Sequence, residues 1–289
     1  MFIRKTIGEM IFDALNYALL ALISIITIYP LLYTLFASAS KPGQIVYGTG
    51  ILLWFRGFDP RAYELVFTNR NILTGYANTI FYVLSGTLIN VFLTLLAAYG
   101  LSRRWLFGKK FILMMITFTM FFSGGLIPTY ILVKSLGMYN TRWALIIPNA
   151  IAVWNIFIMR TYFYTIPDSM EESARIDGAR DFTILFKIMA PLAMPVIAVN
   201  ILFYAVRHWN SWFDALIYLR DRKLYPLQMF LREILLASNV YEISDMIFDP
   251  ISENVKYATI IVSILPILCL YPFIQRYFVS GMMIGAIKE

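Results

Sequence analysis

Cysteine and histidine are almost absent from this sequence. Its 289 residues include one cysteine, Cys269, and one histidine, His208. A disulfide within the chain needs two cysteines, and a zinc site built from cysteine and histidine needs several such ligands. The sequence therefore predicts no internal disulfide and no metal site of this kind.

Charged residues are also scarce. They make up 14% of the chain, whereas about a quarter is usual for a soluble domain. Hydrophobic residues reach 60% and the mean hydropathy is +0.70, which predicts a protein embedded in a bilayer. The net charge of +7 then fits basic residues that flank membrane spans and meet anionic lipid, rather than a nucleic-acid partner.

Six apolar runs are long enough to cross a bilayer, which takes about 20 residues. They cover residues 10–36, 76–101, 110–132, 143–165, 192–219 and 255–277. Each run must be helical, because a backbone amide in lipid finds no water to bond. The first run is too long for the core of a cleavable signal peptide, so we expect it to be a span.

The basic residues of the short loops orient these spans. More of them lie in the N-terminal tail and the loop after the second run than in the loop after the third. The tail and the loop after the second run contain Arg4, Lys5, Arg103, Arg104, Lys109 and Lys110, whereas the loop after the third run contains Lys134 and Arg142. The positive-inside rule then predicts that both termini face the cytoplasm.

Two longer loops, 37–75 and 220–254, would lie outside the cell. The first is rich in aromatic residues, which predicts an interfacial segment lying flat on the bilayer: Trp54, Phe55, Phe58 and Tyr63 surround Pro60. In the second loop we expect a short helix over Pro226–Leu236.

The sequence lacks a phosphate-binding loop. Such a loop has the pattern G-x-x-x-x-G-K-[ST], and Gly108-Lys109-Lys110 lacks both the earlier glycine and the Ser or Thr. Uphill transport by this protein would therefore need an energy source on another chain.

The segment from Pro167 to Pro191 is too polar for lipid and too patterned for a simple linker. Ser169 and Glu172 have the spacing of a capping box, which predicts a helix start, and Gly178 predicts the end of that helix. Asp181 could cap a second helix that ends at Pro191.

Four apolar residues recur at helical spacing in this second helix: Phe182, Leu185, Phe186 and Met189. The stripe lies outside the lipid. It either packs against the chain's own spans or binds another protein, and the pattern alone favours neither.

The same segment resembles the EAA loop of ABC-importer permeases, which reads E-A-A, three residues, G, nine residues, then I-x-L-P. Here Glu172–Ala174 is followed by three residues, Gly178, nine residues and Ile188–Pro191. The spacing matches throughout. Ser173 and Ala190 depart from the pattern, and both are small.

The fuller form of the motif, E-E-S-A-R-I-D-G-A, is similar to that of the carbohydrate branch. Three more segments resemble permeases for complex oligosaccharides: Phe122–Pro128, Trp209–Phe213 and Pro226–Gln228. The resemblance implies that the residues coupling the chain to an ATPase are Glu172, Ser173, Ala174, Asp177, Gly178, Ala179, Ile188 and Pro191.

The resemblance covers most of the chain and is to the smaller, maltose-type second permease. It implies an all-α polytopic protein with the type I ABC importer permease fold, six transmembrane helices and cytoplasmic termini. The chain then divides into residues 1–75, a permease core at 76–277 that includes the coupling loop 167–191, and a tail at 278–289.

A transporter of this kind is not itself an enzyme. The resemblance implies that ATP and Mg²⁺ bind a separate ATPase and that this chain holds no cofactor. The implied partners are a second homologous permease in a heterodimer, two copies of a cytoplasmic ATPase, an external or periplasmic solute-binding protein, an oligosaccharide and membrane lipid. The implied location is the bacterial plasma (inner) membrane.

Glu172 has two possible roles in this scheme. It either caps its own helix or pairs with a basic residue of the ATPase. The tail would insert between the ATPase subunits, as in maltose-type permeases.

Polar side chains within a span are costly and usually face the bundle interior or a cavity. The candidates for sugar binding are Asn78, Asn149, Asn155, Arg207, Trp209, Asn210, Trp212 and Asp214. An interhelical hydrogen bond also explains each asparagine, and interfacial anchoring explains both tryptophans. Arg207 would suit an anionic, uronate-type oligosaccharide.

Two other classes of protein remain open. A stand-alone ion-coupled carrier is usually built from repeats and has membrane carboxylates that titrate, of which Asp214 is one of few here. A membrane-embedded enzyme needs a catalytic constellation facing a cavity, which one histidine, one cysteine and no paired carboxylates in the spans disfavour.

Overall fold

The chain is almost entirely helical in a computed structural model that describes residues 6–45, 48, 50–243 and 250–286. Within these ranges no β-strand forms, and a single antiparallel bridge joins Ser40 and Phe58. The α-helices are α1 (Ile7–Ser38), α2 (Arg61–Thr68), α3 (Arg70–Ser102), α4 (Lys109–Phe121), α5 (Leu126–Ser135), α6 (Trp143–Ile146), α7 (Val153–Phe163), α8 (Asp168–Ile176), α9 (Asp181–Ile184), α10 (Ala190–Leu192), α11 (Met194–Trp209), α12 (Trp212–Tyr218), α13 (Leu227–Ile243) and α14 (Pro250–Ala286).

Three of the six predicted spans are continuous helices in the described residues. They are α1, α3 and the stretch Ile251–Cys269 of α14, each long and apolar enough to cross a bilayer. α14 continues to Ala286, so most of the predicted tail is part of the same helix. Arg4 and Lys5, on which the predicted orientation partly rests, lie outside the described residues, as do the last three residues of the tail, 287–289.

The remaining predicted spans are broken. The third is a pair of helices, α4 and α5, bent by 110° at a glycine-containing break, where Gly125 has φ +85°. The fifth bends by 86° between Asp181–Leu192 and α11, and it breaks again between α11 and α12. If each bent pair crosses the bilayer as one span, the described residues hold five candidate spans.

The prediction of one helix over 143–165 is wrong. Two helices, α6 and α7, occupy this segment, and residues 147–152 between them are not helical. Pro148 lies in this gap and has no N–H to continue the helical hydrogen-bond ladder. The backbone amide of Ala152 donates instead to the Tyr204 hydroxyl at 3.0 Å, so a neighbouring helix satisfies the freed amide.

The described residues form two compact units, residues 70–232 with 265–289 and residues 1–69 with 233–264. In the larger unit α3 is central, and α7 and α11 pack along it. Small and polar residues bring these helices together. The Asn90 amide nitrogen lies 3.0 Å from His208 Nε2, and the Thr94 and Tyr204 hydroxyls lie 2.7 Å apart.

The loop that follows α12 is tied to the first half of α3 by hydrogen bonds. The Asn78 amide donates to the carbonyls of Lys223 and Tyr225 at 2.7 and 3.0 Å, and the Tyr82 hydroxyl donates to the Leu224 carbonyl at 2.8 Å. The chain then enters α13 at Leu227, which confirms the short helix predicted near Pro226.

In the smaller unit, α1 begins with a capping box between Thr6 and Glu9. No residue in its membrane-crossing window is buried, as expected of a helix that meets lipid or another subunit. At its other end the buried Asn254 side chain donates to the carbonyls of Ala37 and Ser40, both at 2.8 Å. Phe36 packs edge-on against Phe55 in an aromatic cluster of the predicted interfacial segment.

Candidate functional site

The coupling loop, residues 167–191, forms two helices that meet at a glycine. α8 ends at Ile176, and Gly178 follows with φ +80°. The Gly178 amide donates to the Arg175 carbonyl at 3.0 Å, and the Ala179 amide donates to the Ala174 carbonyl at 2.9 Å. These two bonds define a Schellman motif, which requires a left-handed residue and so favours glycine. The predicted end of the helix at Gly178 is confirmed.

The predicted helix caps are wrong. α8 begins at Asp168, one residue before Ser169, and neither α8 nor α9 has a side-chain cap. Acidic residues in the first turn favour α8 through the helix dipole instead. Asp181 does not cap α9 either, because it is the first residue of that helix and Arg180 holds the N-cap position. The Asp181 carboxylate instead accepts a hydrogen bond from Arg175 at 2.6 Å.

Pro191 does not end the second helix. A π-helical turn at Leu185–Met189 follows α9, and Pro191 lies in the first turn of α10, where a missing N–H is tolerated. The bend comes later, at Ala193, between α10 and α11.

Part of the apolar stripe of the second helix packs against the chain's own spans, and part of it is free to bind another protein. Leu185 and Met189 are buried in the chain's own core, which also contains Met159 and Phe163 of α7. Phe182 is 68% exposed. Part of the stripe therefore holds the loop against the bundle, and part of it faces outward.

A buried ion pair fixes α8 to the end of α3. The Arg103 guanidinium pairs with the Glu171 carboxylate, and both residues are 8% exposed. Burial lowers the pKa of the Arg103 guanidinium. Arg175 also pairs with Glu171 at 2.9 Å and with Asp181 at 2.6 Å, which links α8 to α9.

Glu171 and Arg103 were not among the coupling residues predicted from the sequence, where Arg103 served only to orient the spans. The spacing of Glu171 could have predicted its burial, because Glu171 and Ala174 are three residues apart and lie on the same, buried face of α8. The neighbouring Glu172 lies on the exposed side together with Ser173 and Ile176, and Ile176 is 87% exposed.

The other residues predicted to couple to an ATPase also differ in exposure. Asp177, Gly178 and Pro191 are exposed, whereas Ala179 and Ile188 are half-buried. Beside α8 lies a cavity of about 290 Å³, whose lining includes Arg104, Asp168 and Glu172. This side of the loop therefore offers both charged and apolar groups to solvent.

The candidate sugar-binding residues are in varied surroundings. Asn78 is buried and, besides its two donated bonds, accepts a hydrogen bond from Arg142 at 3.2 Å. Its polar atoms therefore bond within the chain. Asn155 is buried in α7, and Trp209 is buried with its ring edge-on to Tyr76.

The structure brings the remaining candidates to the break between α11 and α12. The Asn149 amide donates to the Asp214 carboxylate at 3.2 Å. Arg207, Asn210 and Trp212 are exposed around the break. The arrangement presents a cation, an amide and an aromatic ring on one exposed stretch of the chain.

Residues 90–284 match the family described as binding-protein-dependent transport system inner membrane component. The chain belongs to this family. Among similar proteins of Bacillus subtilis (strain 168), the polygalacturonan/rhamnogalacturonan transport system permease protein YtcP is 40% identical over 96% of this chain and 98% of its own length. Protein LplC is 38% identical over 99% of this chain and 97% of its own length.

Two solved structures share the permease fold. One, from the crystal structure of a bacterial ABC transporter involved in the import of the acidic polysaccharide alginate, has a TM-score of 0.87 and 32% identity, with 96% of this chain and 100% of that chain covered. The other comes from a bacterial alginate ABC transporter in complex with an alginate pentasaccharide-bound periplasmic protein. It has a TM-score of 0.56 and 15% identity, covers 93% of this chain and 95% of that chain, and shows the fold alone.

These matches confirm that the chain is a multi-pass permease of the ABC-importer type, as its coupling loop indicated. They support an ABC-importer permease over an ion-coupled carrier, because the family consists of binding-protein-dependent permeases. The matched region contains the whole coupling loop and the break between α11 and α12.

Proposed function

We propose that this permease is one of two homologous membrane subunits of a bacterial ABC importer for acidic oligosaccharides. Its partners are a second permease, two copies of a cytoplasmic ATPase and an extracellular or periplasmic solute-binding protein. The complex lies in the plasma membrane, and both termini of the permease face the cytoplasm.

The observation that carries this proposal is the two-sided construction of the coupling loop. Its inner side is attached to the bundle through Glu171, Leu185 and Met189. Its outer side presents Glu172, Ile176 and Phe182 without cover from the described residues. An exposed surface of apolar and acidic side chains outside the lipid supports a protein partner, because such apolar exposure marks interaction sites.

The energy for uptake comes from the partner ATPase, which binds ATP and Mg²⁺. Closure of the two ATPases displaces the two coupling loops, and the ion pair at Glu171 transmits this displacement to α3. The spans then alternate between outward-open and inward-open arrangements as rigid bodies. In this scheme Glu172 pairs with a basic residue of the ATPase, since it has no capping role in its own helix.

The substrate class rests on the relatives. YtcP is named for polygalacturonan and rhamnogalacturonan. The transporter whose structure matches with a TM-score of 0.87 is involved in the import of alginate, an acidic polysaccharide. Both names refer to polymers that contain carboxylated sugars. We therefore propose oligosaccharides with uronate units as the cargo.

Uptake into proteoliposomes tests this proposal. The permease is reconstituted with its partner permease, ATPase and binding protein, and uptake of trigalacturonate is followed with ATP inside. We expect uptake that stops when the phosphate-loop lysine of the ATPase is replaced. Uptake that persists with this variant, driven by a proton or sodium gradient, would contradict the proposal and favour a carrier.

A further inference from the structure

The break between α11 and α12 exposes a cation that forms no direct ion pair in the described part of the chain. Arg207 lies in the last turn of α11 and is exposed. Among the described residues no carboxylate forms an ion pair with it. The nearby Asp214 interacts with it electrostatically, but the Asp214 carboxylate accepts its hydrogen bond from Asn149.

An unpaired arginine within a predicted span does not face hydrocarbon at low cost. Insertion scales give about 2.5–3.5 kcal/mol for a charge at the bilayer centre, and such residues usually face a water-filled cavity or another polar group. The charge of Arg207, next to the helix break at residues 210–211, therefore indicates a hydrated path at this point.

The side chains on either side of the break have the chemistry that recognises a carboxylated sugar. A guanidinium forms two parallel hydrogen bonds to a carboxylate, and an exposed indole such as Trp212, 40% exposed, offers a flat surface to a sugar ring. The guanidinium of Arg232 lies over one face of the Trp212 ring, 5.4 Å from its centre. This leaves the opposite face for a sugar and places a second positive charge beside it.

We propose that Arg207 and Trp212 form a subsite that binds one uronate unit during its passage, with Arg207 on the carboxylate and Trp212 on the ring. Asp214 is held by Asn149 and can accept hydrogen bonds from sugar hydroxyls. Its negative charge also keeps the uronate carboxylate on the Arg207 side. This subsite rests on the proposed function, because it acts only on a cargo that crosses this permease.

The test compares acidic and neutral cargo in the complete reconstituted transporter. The probes are trigalacturonate and the same trisaccharide with its carboxyls reduced to alcohols. We expect R207Q to lower the initial uptake rate of trigalacturonate about tenfold at subsaturating concentration, which corresponds to about 1.4 kcal/mol. Uptake of the reduced trisaccharide by R207Q should stay within about twofold of the unmodified transporter, a difference of under 0.5 kcal/mol.

R220Q is the matched control, since Arg220 is an exposed arginine beyond the end of α12. It removes the same charge, so a general electrostatic attraction of acidic sugars would be weakened equally in both variants. We expect R220Q to leave both uptake rates unchanged. R207K, which keeps the charge without the two-pronged geometry, should retain part of the trigalacturonate uptake.

Equal loss of both sugars in R207Q would overturn the subsite, and it would indicate that Arg207 pairs with a partner subunit. Unchanged uptake of both sugars would overturn it as well. If R207Q does not assemble with its partners, the ratio of acidic to neutral uptake by R207K decides in the same way. A transporter without substitutions that imports neither sugar contradicts the proposed function, an outcome distinct from failure of the subsite.

Discussion

Arg103 and Glu171 form a buried ion pair that joins the C-terminal end of α3 to α8. The pair lies on the inner face of α8, and the Arg103 guanidinium also lies 4.6 Å from the centre of the Tyr99 ring. One turn of α8 thus carries two acidic residues with different surroundings. Glu171 binds the permease itself, whereas Glu172 is exposed.

Removal of the Glu171 charge should destabilise the permease strongly. E171Q leaves the Arg103 guanidinium buried without its carboxylate, and breaking a buried pair in this way costs about 3–5 kcal/mol. We expect a loss of this size in the free energy of unfolding of the purified transporter, measured by denaturant titration in detergent.

The pair between Arg104 and Asp168 provides the matched control. Its N–O distance is 3.0 Å, but its side chains are 84% and 57% exposed. Exposed pairs contribute about 0–1 kcal/mol, so D168N should have little effect. Similar losses for D168N and E171Q would contradict the special role of Glu171.

Gly178 should tolerate asparagine better than alanine. Its φ of +80° lies in the left-handed region, where a residue with a Cβ costs roughly 1–2 kcal/mol and asparagine costs less than most. An added Cβ would meet no atom within 4 Å among the described residues, so the effect comes from the backbone. We expect the order glycine, asparagine, alanine in both thermal stability and uptake rate, and equal behaviour of the two variants would argue against a left-handed hinge.

Gly86 allows α3 and α11 to pack closely at His208. A Cβ on Gly86 would overlap the imidazole ring, and overpacking of a tight interior costs about 1–3 kcal/mol. G86A should therefore lower the unfolding temperature of the purified permease. The double variant G86A/H208A should recover part of this loss, because the ring that clashes is gone.

Gly100 is the control for this substitution on the same helix. An added Cβ there meets nothing within 4 Å among the described residues, and alanine favours a helix over glycine by about 0.5–1 kcal/mol. G100A should therefore be neutral or stabilising. A loss in G100A as large as that in G86A would contradict the packing explanation.

The long, uninterrupted spans could be predicted from the sequence, because α1, α3 and the start of α14 each contain a continuous apolar run. It did not reveal where the other spans break. Pro148 and Gly125 are visible in the sequence, but a break is stable only if the freed backbone groups find partners. For Ala152 that partner is the Tyr204 hydroxyl, which lies far away in sequence.

The coupling loop illustrates the same limit at the level of single residues. Spacing alone identified Gly178 and the two helices on either side of it. The capping prediction for Ser169 failed because α8 starts one residue earlier, at Asp168. The role of Glu171 depends on Arg103, a residue of another loop, and only the fold brings the two together.

Recovery of the ATPase with the purified permease tests the central claim most directly. Ile176 is 87% exposed on the outer side of α8, and Phe107 is 96% exposed in the loop before α4, on the same predicted side of the membrane. We predict that I176D, purified through a tag on the permease, retains less than about a tenth of the ATPase, a tenfold loss that corresponds to about 1.4 kcal/mol. F107D should retain all of its ATPase, and both variants should retain the partner permease. Undiminished ATPase on I176D would contradict the claim that this surface is where the ATPase binds.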